Sequence, residues 1–309
     1  MNRARPPAVA LETTLILHGV PRGEGAGLAG DLARIVREHG ANPALVGVYG
    51  GRPTVGLSEE ELGVMLSAAR VPKANTSNLG ALMHRGEHAA TTVSTTMELA
   101  ARAGVLVFAT GGLGGVHRGY GARLDISADL AAFTRFPVAV VTSGVKGLLD
   151  VVSTREALEA LGVPVVGYRT ERFPAFYLRD GGAGVDASFE TVEELAGYVS
   201  KEMRRTGRGI VVCNPIPESD AIDTSSWSGW LAQAEREVAR VRGGAGADGR
   251  DGRDGRDGRD GRDVTPMLLG RLHEVSGGAT LRANLSLVRS NAGVAGALAV
   301  AMAGVDEAR

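Results

Sequence analysis

The chain has 309 residues, 44% of them hydrophobic and 22% charged, and its formal net charge at pH 7 is −1. A chain of this length buries a substantial core, and the near-neutral charge gives no electrostatic reason to expect nucleic acid or an anionic membrane as a partner. The single cysteine, Cys213, excludes an internal disulfide framework and a cysteine-based zinc site within one chain. A reducing cytoplasm fits this composition best.

The N-terminal segment has two arginines before an apolar run, but Pro6, Pro7 and Glu12 interrupt it. Because no small-residue cleavage site follows, we do not interpret it as a secretory signal. No stretch reaches the roughly 18 apolar residues that are needed to cross a bilayer. The sequence therefore predicts a soluble, unprocessed protein.

Apolar runs bounded by turn residues predict strands that alternate with helices. Strands are predicted over 9–17, 44–49, 52–55, 105–109, 138–142, 164–168 and 209–213. Helices are predicted over 28–39, 91–103, 156–161, 192–204, 267–275 and 281–303, and a loop with a short helix around Lys73. The alternation predicts a three-layer α/β/α fold with a mostly parallel central sheet, and the Gly50-Gly51 hairpin signal makes that sheet mixed.

Residues 243–263 have a different composition, because Asp-Gly-Arg repeats five times from Asp248 to Arg262. Glycine at every third position is typical of collagen, but proline is absent and five triplets are too few for a triple helix. A charge-balanced disordered loop is the better interpretation. The two helices beyond it are too small to fold alone, so we predict one domain over 1–303 that this loop interrupts.

The stretch from Gly104 to Asp150 contains two predicted strands, each followed by a loop with polar side chains. The first loop is rich in glycine and contains His117, and Lys146 follows the second strand. Because ligands of open parallel sheets bind beyond the carboxyl ends of strands, the sequence predicts an active site at this edge.

Lys146 follows a buried strand and is predicted to lie in the first turn of a helix. The helix dipole and an apolar setting both lower the pKa of an amine, as a nucleophilic or imine-forming lysine requires. A lysine whose charged end reaches solvent explains the same pattern. The residues alone leave both interpretations open.

Three carboxylates are candidates for the chemistry of this edge. Asp125 is a candidate ligand for Mg²⁺ or Mn²⁺, whereas helix capping by itself explains Ser127 and Asp129. Glu12 stands inside an otherwise apolar strand. Buried there, it would have a raised pKa and serve as a general acid or base; the alternative is the exposed face of an edge strand.

Longer motifs cover nearly the whole chain apart from the Asp-Gly-Arg segment. They are AVALETTLILHG, TTVSTTM, FATGGLGGVHRG, DISADL, SGVKGLLD, GVPVVGYRTERFPAFY, NPIPE, and TPMLLGRL with GGATLRANLSLVRSNA. Together they resemble the pseudouridine-5'-phosphate glycosidase family, which includes the indigoidine synthase A proteins. The resemblance implies an α/β/α homotrimer with a Mn²⁺-type divalent ion that reversibly cleaves the C–C glycosidic bond of pseudouridine 5'-phosphate into uracil and ribose 5-phosphate.

The resemblance also implies roles for individual residues. Glu12 would be the proton donor, Lys146 the nucleophile that forms an imine with C1' of ring-opened ribose, and Asp125 the metal ligand. Asn284 would lie near the reacting carbon as a further catalytic residue. The implied substrate-binding residues are Lys73, Val93, His117, Ser127, Ala128 and Asp129.

The chain departs from the family pattern after Lys73, where it reads Ala-Asn-Thr-Ser-Asn78 in place of an Arg-Arg-Asp run. The loss of two cations puts the phosphate affinity or the identity of the substrate in question. Two alternatives follow: a lysine-imine enzyme that acts on another sugar phosphate or C-nucleoside, and a sugar-phosphate binder without catalysis.

Overall fold

The computed structural model describes residues 1–121, 124–244, 268 and 270–307. The strands within these residues are β1 Ala8–Glu12, β2 Asn42–Tyr49, β3 Arg52–Val55, β4 Lys73–Ala74, β5 Ala89–Thr91, β6 Val107–Ala109, β7 Ala139–Thr142, β8 Val165–Tyr168, β9 Arg172–Ala175, β10 Leu178–Gly184, β11 Ala187–Phe189 and β12 Ile210–Cys213.

The helices alternate with these strands along the chain. They are α1 Thr13–His18, α2 Gly25–Glu38, α3 Glu59–Ser67, α4 Leu79–His84, α5 Val93–Arg102, α6 Ala128–Phe133, α7 Val151–Ala160, α8 Val192–Thr206, α9 Thr224–Gly244 and α10 Ala279–Glu307. Two short 3₁₀ turns cover Arg22–Glu24 and Glu218–Asp220, and residues 270–275 are also helical.

Within the described residues, ten strands form one sheet in the order β11-β8-β12-β7-β6-β1-β2-β5-β4, with β3 added alongside β2. All neighbours are parallel except β2 with β3 and β2 with β5, which are antiparallel. The predicted mixed, mostly parallel sheet is therefore confirmed. Strands β9 and β10 form a separate antiparallel pair.

Helices cover both faces of the sheet, as expected for a mostly parallel sheet with buried strands. On one face α10 packs against α2 and α8 and onto β1, β6 and β7. On the other face α5 packs against α6 and onto β1 and β2. The central strand β1 is accordingly almost solvent-free, with Val9 and Ala10 both 0% exposed. The three-layer α/β/α architecture is confirmed.

The first predicted strand is wrong in its second half. It ends at Glu12, and the chain turns directly into helix α1, whose buried residues are Thr13, Ile16 and Leu17. Buried residues at 13, 16 and 17 suit the inner face of a short helix as well as a strand, so periodicity alone does not separate the two. The consequence matters for the site, because Glu12 stands at the carboxyl end of its strand.

Further differences concern short elements and the last helix. The sequence missed β4, β5 and β9 to β11, which are short or poor in apolar residues. Residues 279–305 of α10 are long and apolar enough to meet a membrane-span criterion, so the expectation that no stretch reaches that length was wrong. Here this helix is a core element, since residues such as Leu287 and Ala295 are 0% exposed against the sheet. The predicted Asp-Gly-Arg loop lies outside the described residues, except for Gly243 and Gly244 at the end of α9.

Candidate active site

Neighbouring parallel strands place their carboxyl ends at one edge of the sheet. Glu12 is the last residue of β1, Thr110 follows β6 directly, and Ser143 follows β7 directly. Strand β6 lies between the other two, with Ala109 in register with Leu11 on one side and Val141 on the other. The predicted active edge is therefore the place where these three strands end.

Lys146 reaches this edge from a loop and not from a helix, so the prediction that it begins a helix was wrong. Helix α7 begins only at Val151, and the dipole argument therefore does not apply to the amine. The loop is held by the backbone: the N–H of Leu113 donates to the carbonyl of Gly144 at 2.9 Å, and the N–H of Lys146 donates to the carbonyl of Leu113 at 3.1 Å. The glycine-rich loop and the Lys146 loop thus form one unit.

A cavity of about 420 Å³ opens above the strand ends. Its walls include every site residue predicted from the sequence except Asn284. These residues are Glu12, Lys73, Val93, His117, Asp125, Ser127, Ala128, Asp129 and Lys146.

A second, smaller cavity of about 70 Å³ adjoins the first and is lined by Asn284 together with His18, Tyr177 and His273. Glu12, Thr14, Lys73 and Lys146 line both cavities and so mark the junction between them. The candidate reactive side chains lie on elements that are far apart in the sequence: Glu12 on β1, Lys73 on β4, Lys146 in the loop after β7, and Asn284 on α10. This juxtaposition gives the site two compartments, a large one and a small one.

Glu12 lies in a central strand and is 7% exposed, so it is a buried acid and not part of an exposed edge strand. Burial disfavours the carboxylate and raises its pKa to about 7, and the charge of Asp129 acts in the same direction. The charges of Lys146 and Lys73 oppose that rise, as does a hydrogen bond donated by the Thr110 hydroxyl. An acid that titrates near neutrality both gives and takes protons efficiently at physiological pH.

Asp129 and Ser127 organise the wall opposite Glu12. Ser127 caps α6 by accepting a hydrogen bond from the Asp129 N–H at 3.2 Å, as capping chemistry predicts. The Asp129 carboxylate accepts from the Ser94 N–H at 3.0 Å and from the Gly114 N–H at 2.9 Å. It therefore joins the start of α5, the glycine-rich loop and α6. A Cβ on Gly114 would lie 2.3 Å from the Ser127 hydroxyl, so only glycine fits there.

Asn284 presents an unsatisfied acceptor at the small cavity. Its Nδ2 donates to the carbonyl of Gly19 at 3.1 Å, which fixes the orientation of the amide. Its Oδ1 is buried and has no hydrogen-bond partner among the described residues, and the same holds for the hydroxyl of Thr14. Buried polar atoms are nearly always paired, so a ligand that donates hydrogen bonds would complete these two groups.

The candidate metal ligand Asp125 lies on the rim of the large cavity, with its Oδ2 3.9 Å from Nδ1 of His117. Across 1–121, 124–244, 268 and 270–307, no three His, Cys, Asp or Glu side chains form a cluster that would hold a metal ion. A single carboxylate fits a hard cation that keeps water ligands or shares the oxygens of a bound phosphate. It does not fit a closed site made by protein ligands alone.

Sequence reasoning missed several residues of the two cavities. Asn75 and Ser77, in the loop after Lys73, line the large cavity. The Asn75 side chain accepts from Ser77 N–H at 2.9 Å and from Asn78 N–H at 3.2 Å, so the loop is neutral and braced by its own turn. The position of Thr110 carried a signal, since it directly follows the strand predicted over 105–109.

A family model described as "Indigoidine synthase A like protein" matches residues 1–301. Among the relatives, the pseudouridine-5'-phosphate glycosidase of Methylobacterium nodulans is 45% identical over 302 residues, which is 97% of this chain and 85% of that protein. The glycosidase of the same name from Symbiobacterium thermophilum is 42% identical, covering 98% of this chain and 94% of that protein.

Two solved structures share the fold over nearly the full length. The prealnumycin C-glycosynthase AlnA, in complex with ribulose 5-phosphate, has a TM-score of 0.86 and 34% identity, covering 99% of this chain and 94% of that one. An indigoidine synthase A-like protein from Thermotoga maritima has a TM-score of 0.80 and 36% identity, covering 97% and 94%. The motifs, the fold and these full-length similarities agree, and the chain belongs to the indigoidine synthase A-like family.

Proposed function

We propose that the protein is a pseudouridine-5'-phosphate glycosidase, which reversibly cleaves the C–C glycosidic bond of its substrate to give uracil and ribose 5-phosphate. The observation that carries the proposal is the meeting of Glu12, Lys146 and Lys73 where the two cavities join, with Asn284 in the wall of the small cavity. The names of full-length relatives at 42–45% identity support the choice of reaction.

The chemistry explains why a lysine and an acid are needed together. A C-glycoside has no leaving oxygen between sugar and base, so protonation by paired carboxylates does not suffice. In our proposal the Lys146 amine replaces the ring oxygen at C1', and the ring oxygen leaves as a hydroxyl with a proton from Glu12. Glu12 then takes a proton back from the Lys146 nitrogen, which became positively charged when it bonded to C1'. When the bond from C1' to the base breaks, its electron pair goes to the base carbon, which receives that proton from Glu12, and the lysine nitrogen lone pair forms the C1'=N imine. Water hydrolyses the imine and releases ribose 5-phosphate.

The two compartments suit the two halves of this substrate. The large cavity is bordered by the first residues of α5 and α6, including Val93 and Ala128, and the N–H groups of a first helical turn, which have no partner within the helix, favour an anion. We assign the sugar phosphate to this side, with Lys73 as a cation at the junction. The small cavity would hold the base, whose N–H groups are donors for the unpaired Asn284 oxygen.

A divalent cation, Mn²⁺ in our proposal, would be held by Asp125 with water and phosphate oxygens as its other ligands. It would neutralise phosphate charge and order the ligand at the rim of the large cavity.

The resemblance also supports a homotrimer, and the single buried cysteine supports a reducing cytoplasm as the location. Sedimentation at several protein concentrations tests the trimer.

A second candidate is a lysine-imine enzyme that joins ribose 5-phosphate to another carbon nucleophile or cleaves another C-nucleoside. The neutral loop at Asn75 and Ser77 favours it, because this part of the large cavity lacks the two cations expected from the family pattern. The prealnumycin C-glycosynthase has the same fold, with a TM-score of 0.86, although its name refers to prealnumycin and not to pseudouridine 5'-phosphate.

The test is to incubate the purified protein and Mn²⁺ with pseudouridine 5'-phosphate and to measure uracil by chromatography. In parallel, borohydride is added with ribose 5-phosphate, and the labelled peptide is identified by mass spectrometry. We expect uracil release and an adduct on Lys146. Lys146→Ala should lose both, whereas Lys73→Ala, which removes another lysine of the same cavity, should weaken substrate binding but keep the adduct.

The outcomes separate the alternatives. An adduct without uracil release would favour the second candidate, and screening of other C-nucleosides would follow. The absence of both, in a protein that still binds ribose 5-phosphate by calorimetry, would identify a sugar-phosphate binder and would refute both enzymatic proposals.

A further inference from the structure

A hydroxyl and an amide behind Glu12 form a connected set of hydrogen bonds that the proposed reaction does not itself use. Thr110 is 1% exposed and donates its hydroxyl proton to Oε1 of Glu12. We propose that Thr110 is a positioning residue for Glu12 and that Asn291 of α10 holds Thr110 in place. This inference rests on the proposed function for the role of Glu12 as proton donor. The hydrogen bonds around Glu12 do not depend on that role.

The position of Thr110 is fixed from two sides. Its N–H extends the pairing of β6 with β7 by donating to the carbonyl of Val141 at 3.0 Å. Its carbonyl accepts from Nδ2 of Asn291 at 2.7 Å. With both backbone groups bound, the side chain starts from a fixed point next to β1, and its hydroxyl meets the Glu12 carboxyl.

Asn291 is itself held with no freedom to turn. It is 0% exposed, and its Oδ1 accepts from Nδ2 of Asn214 at 2.9 Å. The Ser143 hydroxyl donates its proton to the carbonyl of Asn214 at 2.9 Å and accepts from Nδ2 of Asn291 at 3.2 Å. A buried polar network with every member paired defines one geometry, because any slip leaves an unsatisfied group. The last helix thereby fixes the edge of the sheet that carries the acid.

The Thr110 hydroxyl has two consequences for Glu12. It occupies Oε1, so the transferable proton is assigned to Oε2. It also favours the carboxylate and so partly offsets the rise in the Glu12 pKa that burial causes. The other charged groups that act on this carboxyl are Lys146, Lys73 and Asp129. Thr110 is the neutral member of the set and is the one that can be changed without altering the charge of the site.

The test measures the protonation of Glu12 directly and does not depend on turnover. Infrared difference spectra of the full-length protein against pH report the C=O band of a buried protonated carboxyl, and Glu12→Gln identifies the band. Thr110→Val removes the hydroxyl with little change in shape, and we expect the titration midpoint to move upward by about one pH unit. Thr110→Ser keeps the hydroxyl and should retain the wild-type midpoint.

Asn291→Ala tests the second half of the proposal. It should also move the midpoint upward in the wild-type background but should add nothing to Thr110→Val, because it acts through Thr110. Circular dichroism and thermal melting confirm that each variant is folded, and Leu287→Ala on the same helix is the control for a general loss of packing. An unchanged midpoint in Thr110→Val, an equal shift in Thr110→Ser, or additive effects of the two substitutions would each overturn the proposal. Loss of uracil release alone would count against the proposed function and not against this network.

Discussion

At the scale of single residues, Glu12 illustrates a conflict between stability and chemistry. Its carboxyl is almost fully buried at the end of the central strand β1, and its pKa is raised to about 7. The folded state therefore binds a proton more tightly than the unfolded state does. The resulting loss of stability is absent below the unfolded-state pKa near 4.5, grows as the pH rises, and reaches its limit above pH 7.

We predict that Glu12→Gln stabilises the fold at pH 8 by up to about 3 kcal/mol, and by less than about 1 kcal/mol at pH 5. Glutamine keeps the shape and the acceptor oxygen for Thr110 but has no charge to bury. Urea unfolding at the two pH values measures the difference, with Glu60→Gln on the exposed first turn of α3 as the control for loss of one carboxylate. Equal stabilisation at both pH values would show that the charge of Glu12 is not the cause. The same variant should lose uracil release by at least about 100-fold.

At the scale of elements, the site depends on helix starts and close helix packing. Asp129 joins the first turns of α5 and α6 to the glycine-rich loop. Behind the sheet, α10 brings Asn284 and Asn291 to the strand ends only because it lies close against α2. That contact depends on Gly296, where an added Cβ would lie 2.8 Å from Cβ of His39.

We therefore predict that Gly296→Ala destabilises the protein by about 1–3 kcal/mol, because the two helices must separate slightly. The matched control is Gly304→Ala on the same helix, where an added Cβ meets nothing within 4 Å. There alanine should stabilise by about 1 kcal/mol through its helix propensity. Thermal melting of both variants gives the comparison. If Gly296→Ala stabilised the protein, α10 and α2 would have space for the added methyl group, and the prediction would be wrong.

At the scale of the whole molecule, the two ends of the chain meet at the site. Nδ2 of Asn284 donates to the carbonyl of Gly19, and Arg289 forms a 2.7 Å ion pair with Asp31 of α2. Because α10 also covers β1, β6 and β7, the site cannot form before the C-terminal helix docks. The fold and the site should therefore be lost together.

We predict a single unfolding transition in urea at fixed protein concentration. The tryptophan fluorescence comes from Trp227 and Trp230, both in α9, where Trp227 is 4% exposed. It should change at the same midpoint as the helical circular dichroism signal. Ribose 5-phosphate should move both midpoints upward together, since it binds only the folded state. An earlier fluorescence transition would show that α9 unfolds as a separate unit.

Much of the fold was predictable because its signals are local. The buried strands at 105–109 and 138–142 are short β-branched runs, and the Gly50-Gly51 hairpin is a turn signal; all three are confirmed within a few residues. The helix predicted to contain Lys146 and the second half of the first predicted strand were wrong, because a run of about five apolar residues fits a strand, a short helix or a buried loop. Strand pairing between residues that are distant in the sequence decides which of the three forms, and a linear pattern does not contain that information.

The sequence by itself determined the alternation of strands and helices and the family motifs, and it named Glu12, Lys73, Lys146 and Asp125 as candidate site residues. The tertiary structure alone decided that Glu12 ends its strand in a buried place, that Asn284 faces a separate small cavity, and that Thr110 and Asn291 stand behind the acid. The physical reason is that burial and pKa depend on neighbours that are distant in the chain, and those neighbours exist only once α10 has packed onto the sheet.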